Sequence, residues 1–338
     1  MGNISIVISV APALGPTLSG IILNQLTWRW MFWLVLPISL GALLLGGMRI
    51  SNVSTPKEAP IDLPSVILSA IGFGGLVYGL NKIGDVMGEA GPIARWVPLA
   101  FGAVALIAFI WRQLSLQRAD RALLDLRTLA SKNFAITVVS LAICMMSLFG
   151  AFILLPIYMQ HVLGLDPLKT GLLLLPGGLI MGLMAPPVGR FYDRHGPTFL
   201  TVPGTFMVSA VLWFMTTMNE QTSTPALMGA HIVLSVGLAL TFTPLFTAGL
   251  GSLPPNLYAH GSALVGTVQQ LAGAAGAALF IALMSLQTAT LLAGGLSPVA
   301  ATAGGIHTAF WWGAVISMFA IVAVFFVKKP VNGEAPHA

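Results

Sequence analysis

Few side chains in this chain can carry acid–base chemistry inside an apolar environment. No Asp, Glu, Lys or Arg falls in the middle of an apolar run, and of the 6 histidines only His231 does. An imidazole there could relay protons, because histidine changes charge near neutral pH. It could equally be a packing residue held by a hydrogen bond. His161, His195, His260, His307 and His337 stand at boundaries or in loops, and no two of them have metal-ligand spacing on one helix. No nucleophile–histidine–acid set and no phosphate loop is visible, so neither an enzyme nor a metal or other cofactor is expected. The remaining residue types suit binding. Gln160, Gln269 and Gln270 place amides within or beside apolar runs, where each needs a partner: another helix, a water or a substrate. Phe149, Phe152, Tyr158, Met145, Met146, Met181 and Met184 offer adaptable apolar surface of the kind that accepts varied hydrophobic molecules. Packing against the core or lipid is the competing use of each.

The elements that position these groups follow from composition. Only 7% of the 338 residues are charged and 57% are hydrophobic. A soluble domain carries about a quarter charged residues, so the solvent of most of this chain is lipid. Ten apolar runs approach the roughly 20 residues that a membrane-crossing helix needs: about 3–23, 30–48, 64–81, 96–112, 134–160, 168–188, 198–218, 226–247, 262–285 and 307–327. The fold class is therefore an all-α membrane protein of about ten transmembrane helices. The first run lacks the Lys/Arg-rich start of a cleavable signal peptide and is expected to be a span. With the N-terminus inside, eleven basic residues face the cytoplasm: Arg49, Lys57, Arg112, Arg118, Arg121, Arg127, Lys132, Arg190, Arg194, Lys328 and Lys329. Four face outward: Arg29, Lys82, Arg95 and Lys169. That bias predicts a multi-pass inner-membrane protein with both termini cytoplasmic, and Trp28, Trp30, Trp33 and Trp96 fall at outer boundaries. The net charge of +5 sits in short loops, which argues against nucleic acid as a partner. Cys144 is the single cysteine; it excludes an intrachain disulfide and reads as a small buried hydrophobe. Leu123, Leu124, Leu126 and Leu129 in the charged stretch 112–133 fit a short amphipathic helix or a plain linker.

Two stretches stand out. The first runs Ala11-Pro12-Ala13-Leu14-Gly15-Pro16-Thr17-Leu18-Ser19-Gly20. Its prolines delete backbone hydrogen bonds, while Gly15, Ser19 and Gly20 leave a smooth face for a close helix neighbour. Its glycine spacing matches a phosphate loop, but Ile21 stands where lysine is required. The second runs Ala185-Pro186-Pro187-Val188-Gly189-Arg190-Phe191-Tyr192-Asp193-Arg194-His195-Gly196 and is expected to end one helix and open the next. Asp193 could cap the following helix or pair with Arg190 or Arg194, forming a clasp that breaks and reforms. An ordinary positive-inside loop is the alternative.

Together these stretches resemble the major facilitator superfamily. The first is similar to the Gly-Pro antiporter motif of its fifth helix (Ala11, Pro12, Gly15, Pro16, Ser19, Gly20). The second resembles its loop signature G-x-x-x-D-R-x-G, on Gly189, Arg190, Asp193, Arg194 and Gly196. Trp28-Arg29-Trp30 with Pro37 resembles the start of the sixth helix. Leu155-Pro156 through Gln160, with Gly164, Gly171 and Pro176, resembles helices nine and ten. Gly261-Ser262-Ala263 with Gln269-Gln270-Leu271 resembles helix thirteen. An extra helix pair at about 64–112 is similar to that of the fourteen-helix, EmrB/QacA-type drug–proton antiporters, and within them to the lincomycin-exporter type.

That resemblance implies a major facilitator fold divided into a remainder of the N-terminal bundle (1–48), a loop and extra helix pair (49–112), a linker (113–133), a C-terminal six-helix bundle (134–327) and a tail (328–338). It implies multidrug efflux by proton antiport through alternating access, with hydrophobic drug-like molecules, protons and the lipid bilayer as partners. Gly15 would lie where the helix seals the two halves together. Phe152, Tyr158, Gln160, Gln269 and Gln270 would line the substrate cavity, and His231 could relay protons. Helices one to four of the family, which carry its proton-coupling acidic and basic residues, have no counterpart in the chain. The expectation is thus an N-terminally truncated form, with Met1 matching an internal position. The competing expectation is a membrane fragment without autonomous transport.

Overall fold

The computed structural model of the chain describes residues 15, 17–49, 62–84, 92–119, 121–219 and 221–329. Ala11, Pro12, Pro16, most of the first expected span and the tail from 330 lie outside the described residues. Helix α1 covers 17–25. It is followed by α2 (Arg29–Arg49), α3 (Leu63–Gly84), α4 (Pro92–Leu116), α5 (Lys132–Ile157), α6 (Pro167–His195), α7 (Thr198–Met215), α8 (Thr224–Gly251), α9 (Tyr258–Ala293) and α10 (Pro298–Val324). Nine of these, α2 to α10, are long and apolar enough to cross a membrane. They coincide with the second to tenth expected spans, and the described residues contain no strand.

Most of the helices outrun the apolar stretches that announce them. Helix α9 has 36 residues, about 54 Å at 1.5 Å per residue, against a hydrocarbon core of roughly 30 Å. Its ends therefore stand in the interfacial layers. Capping fixes where other helices start. The Ser131 hydroxyl accepts from Phe134 N–H before α5, the Asp166 carboxylate accepts from Lys169 N–H before α6, and the Ser297 hydroxyl accepts from Ala300 N–H before α10. Pro167 and Pro298 then occupy first-turn positions, where a missing N–H costs nothing. Gly295, at φ +87°, makes the turn between α9 and α10.

Helices α5 to α10 form one bundle. Within it α8 packs on α5, α6 and α7, while α10 packs on α5, α7 and α9. The α3–α4 pair is a hairpin lying along α9 through α3. It closes backbone to backbone: a side-chain carbon on Gly75 would sit 2.8 Å from the Gly102 Cα, and one on Gly79 would sit 2.5 Å from Leu99 N. The same device seats Phe280 of α9, which fills the space left by Gly150 of α5 and Gly313 of α10. Two apolar cores result. One centres on Leu154, Met159, Leu212, Leu227 and Phe310; the other, at the opposite end, centres on Phe134, Leu141, Leu245 and Val265. None of the residues of α2 is buried.

The stretch after α4 forms two short 3-10 turns, Gln117–Ala119 and Leu126–Ala130, instead of an amphipathic helix. Only Leu124 of its leucines is buried, in the same core as Phe109 of α4. The Asp125 carboxylate starts the second turn by accepting from Arg127 N–H.

Candidate functional site

Helix α6 carries most of the loop signature and meets two other features singled out in the sequence, the Gly-Pro stretch and His231. At its first turns it meets α1. The Thr17 hydroxyl donates to the Gly171 carbonyl at 2.9 Å, and both residues are buried. One turn on, a side-chain carbon at Gly20 would lie 2.5 Å from the Pro167 carbonyl oxygen. Among the described residues of the Gly-Pro stretch, Gly20 is therefore the glycine at which the two backbones touch. Gly15 is exposed and has open space beside it, and Ser19 is half-buried.

At its other end α6 carries the second stretch, all of it helical up to His195. The expected loop shrinks to Gly196 and Pro197, with Gly196 at φ +79°. Asp193 does not cap the next helix, because Pro197 is the N-cap of α7 and supplies no side-chain bond. Among the described residues Asp193, Arg190 and Arg194 form no ion pair with one another; all three are exposed. The fastening is made instead by the segment after α10. Lys329 Nζ donates to the Asp193 carbonyl at 3.2 Å, and Thr198 donates to the Val327 carbonyl at 3.1 Å. Asn133 brackets Lys328, accepting from its N–H at 2.8 Å and donating to its carbonyl at 3.0 Å. Gly189 has open space where a side chain would be.

Midway along α6 lies His231, on α8 and 6% exposed. Its ring occupies the space left by Gly177, where a Cβ would overlap the imidazole and stand 2.9 Å from Nε2. The ring lies beside the Leu174 carbonyl, and its Nδ1 has no hydrogen-bond partner. Phe152 of α5 meets the ring edge-on, centroids 6.2 Å apart.

The expected cavity residues stand in different surroundings, with Phe152 packed against the core that holds Tyr158. Tyr158 is 1% exposed and donates its hydroxyl to the Asn219 carbonyl at 2.5 Å. Gln160 stands half-buried in a π-helical turn, Tyr158–Val162, that follows Pro156. Gln270 is exposed and, with Thr267 and Gly266 of α9 and Phe73 and Val77 of α3, borders a groove of about 480 Å³. Gln269 is half-buried.

A polar network not foreseen in the sequence ties the hairpin to the bundle. Arg112 of α4 grips the Asp62 carboxylate at 2.6 and 2.7 Å, and Asp62 also accepts from the Ser65 hydroxyl and N–H. The hydrogen bonds from Arg112, then those from Ser65, hold the Asp62 carboxyl well below the usual carboxylate range. Gln113, fully buried, donates to Ser65 Oγ at 2.7 Å and accepts from Leu124 N–H at 3.1 Å. The next residue, Asp125, donates its N–H to His260 Nδ1 of α9 at 3.3 Å. Burial pushes the Asp125 carboxyl upward, and its bonds to Arg127 outweigh that and leave it lowered. Spacing could not reveal the links between elements in this set, whose partners lie 11 to 135 positions apart.

Comparison with known proteins places this geometry. The sequence profile described as Major Facilitator Superfamily matches residues 1–277. The lincomycin resistance protein LmrB of Listeria monocytogenes is 38% identical over 334 residues, covering 97% of this chain and 70% of that protein. The multidrug resistance protein B homolog of Mycobacterium tuberculosis is 28% identical over 292 residues, covering 85% of this chain and 53% of that protein. Among solved structures, a bacterial homolog of the human lysosomal transporter Spinster, in an inward-facing and occupied conformation, matches with a TM-score of 0.51. It is 14% identical and covers 80% of this chain and 68% of its own, a likeness of fold.

Proposed function

The chain belongs to the Major Facilitator Superfamily, and from that premise we propose that it is a drug exporter of the fourteen-helix, EmrB/QacA type that exchanges hydrophobic drug-like molecules for protons. It is a multi-pass membrane protein of a transporter family and not an enzyme. Efflux as the direction of transport is supported by relatives named for lincomycin and multidrug resistance. Both termini lie in the cytoplasm in this reading, following the bias of Lys and Arg toward one side.

The observation that carries the proposal is the contact of α1 with the head of α6: Thr17 on Gly171, and Gly20 on Pro167. Alternating access needs a seam between two helix groups that closes at one face and opens at the other. A glycine pressed on a backbone carbonyl makes such a seam close without side chains to rearrange. The α1 face supplies it, and α6 carries the loop signature at its far end.

The test is drug uptake into inside-out membrane vesicles from cells lacking other efflux systems. Lincomycin and a fluorescent lipophilic cation serve as probes. Expected is accumulation that collapses when the pH gradient is dissipated. Gly20→Leu should reduce it at least tenfold at unchanged membrane insertion, and Gly15→Ala should spare it. Uptake indifferent to the pH gradient, or to Gly20→Leu, would overturn the reading.

A second reading draws on α2, which buries no residue within this chain. In it, a further helical bundle covers α2, carries proton-coupling residues, and is required for export. Normal insertion with no uptake by the chain alone, restored when such a bundle is co-expressed, would favour this reading.

A further inference from the structure

We propose that His231 is a proton-binding residue of the α5–α10 bundle, and that taking up a proton on Nδ1 loosens α6 from α8 and thereby α1 from α6. The proposal rests on the exporter reading and deepens it by placing a proton site in a bundle without a mid-membrane carboxylate.

Three observations support it. First, the imidazole is buried beside the Leu174 carbonyl, and its Nδ1 is unpartnered. With the proton on Nε2, Nδ1 presents a bare lone pair, the basic position of a neutral imidazole. A buried polar atom without a partner in a protein interior calls for an explanation, and an ionisable side chain within a membrane span is a candidate functional site.

Second, the surroundings leave a proton nowhere else to go. Helices α5, α6, α7 and α9 border α8. Their charged and histidine side chains sit at their ends: Lys132 on α5, Lys169, Arg190, Asp193, Arg194 and His195 on α6, His260 on α9, and none on α7. Lys169 lies more than a turn from Leu174 and is already beside Asp166. Cys144 is eight residues from Phe152 on α5, about 12 Å along the axis. Tyr192 and Tyr258 lie farther still toward the ends of α6 and α9, and Tyr158 is bonded to Asn219. The near neighbours of the ring are Phe152, Gly177, the Leu174 carbonyl and Ser235 Oγ, which would lie 2.8 Å from a Cβ on Gly177.

Third, the ring touches α6 between its two functional ends. Gly171 and Pro167 hold α1 on one side of Leu174 and Gly177, and Gly189 to Gly196 lie on the other. Protonation forms an Nδ1–H bond and leaves an imidazolium whose polar neighbours are the Leu174 carbonyl and the Ser235 hydroxyl, neither of them charged. An unpaired charge of that kind is costly to bury, so Nδ1–H must gain water or a carbonyl. The way to admit one is to part α6 from α8 at Gly177, where only the missing side chain makes room. The proton enters from the outer face as the seam opens there. It leaves from the same nitrogen to the inner face when the helices close again, so the imidazole is regenerated unchanged.

The test uses the full chain in lipid bilayers with 15N-labelled histidine. In solid-state NMR one imidazole, identified by its loss in His231→Gln, should show Nε2 protonated throughout and Nδ1 gaining a proton as pH falls from 8.5 to 5. In parallel, Thr17→Cys in a Cys144→Ser background is labelled with a water-soluble maleimide, reporting on the α1–α6 seam. The rate relative to the same cysteine in His231→Gln should rise severalfold toward low pH. Gln keeps an N–H donor and removes the basic lone pair, and His231→Asn is the second variant. An Nδ1 that never protonates, or labelling with the same pH profile in both variants as in the parent, would overturn the proposal. If Nδ1 titrates and labelling follows it while drug uptake ignores the pH gradient, the exporter reading fails and the proton site stands.

Discussion

Among the described residues the strongest electrostatic features sit at the membrane surface, in the clasp built on Asp62 and Asp125. Both carboxyls are held below their ordinary value, so each binds a proton less readily folded than unfolded. The sign follows from linkage. Their stabilisation is present in full above the ordinary carboxylate value of 3.8 and is lost as pH falls below it toward the folded value. Thermal unfolding in detergent should therefore show a midpoint level near neutral pH that drops below about pH 4. Asp62→Asn should lower the midpoint at pH 7 and flatten the acid slope. An unchanged slope would mean that Arg112 contributes nothing through this pair. Gln113→Leu is the complementary change: it strands Leu124 N–H in the core, at a cost of about 1–3 kcal/mol. None of this was legible in the sequence. Asp62 and Arg112 are boundary charges like any others, and the pairing exists only because α3 and α4 bring positions 50 apart to one place. His231, by contrast, was legible, because one histidine in an apolar run stands out without a structure. What the sequence lacked was Gly177, whose missing side chain decides where the ring sits.

Helices α2 to α10 were legible as elements because lipid imposes a length on each apolar run. Their ends were not. Hydropathy detects the part in hydrocarbon, and a polar or charged turn can continue the helix beyond it. So α6 runs past Val188 to His195 and takes the loop signature into its last turns, while α10 begins at Pro298 behind the Ser297 cap. Contact faces were half legible. Glycines in an apolar helix predict close approach, yet only the structure separates the closely packed Gly75, Gly79 and Gly102 from the open Gly74. Gly102→Val should consequently splay the α3–α4 hairpin, lowering the unfolding midpoint by several degrees, whereas Gly74→Ala should leave it unchanged or slightly raised. Equal effects at both positions would contradict the packing described.

At the scale of the whole molecule, the contacts divide the chain into parts that should move together and a part that should not. The hairpin is fastened to α9 along α3, and its base is bonded through Gln113 and Leu124 to the segment whose Asp125 N–H reaches His260. Moving it relative to α9 would break buried hydrogen bonds at about 1–3 kcal/mol each. Helix α1 meets α6 through the Thr17 bond and one backbone contact at Gly20, both described at a single end of α6. Alternating access should therefore leave the α3–α9 seam intact and open the α1–α6 seam. Cysteine pairs test this directly, since the native Cys144 is buried and will not compete. A bifunctional thiol reagent joining Val77→Cys to Gln270→Cys across the groove should leave drug uptake within about twofold of the unlinked protein, since the linkage costs no motion the cycle needs. The same reagent joining Thr17→Cys to Gly171→Cys should arrest uptake, and reduction of a cleavable linker should restore it. Arrest by the first pair would show the hairpin moving against the bundle, and free transport through the second would remove the α1–α6 seam from the cycle.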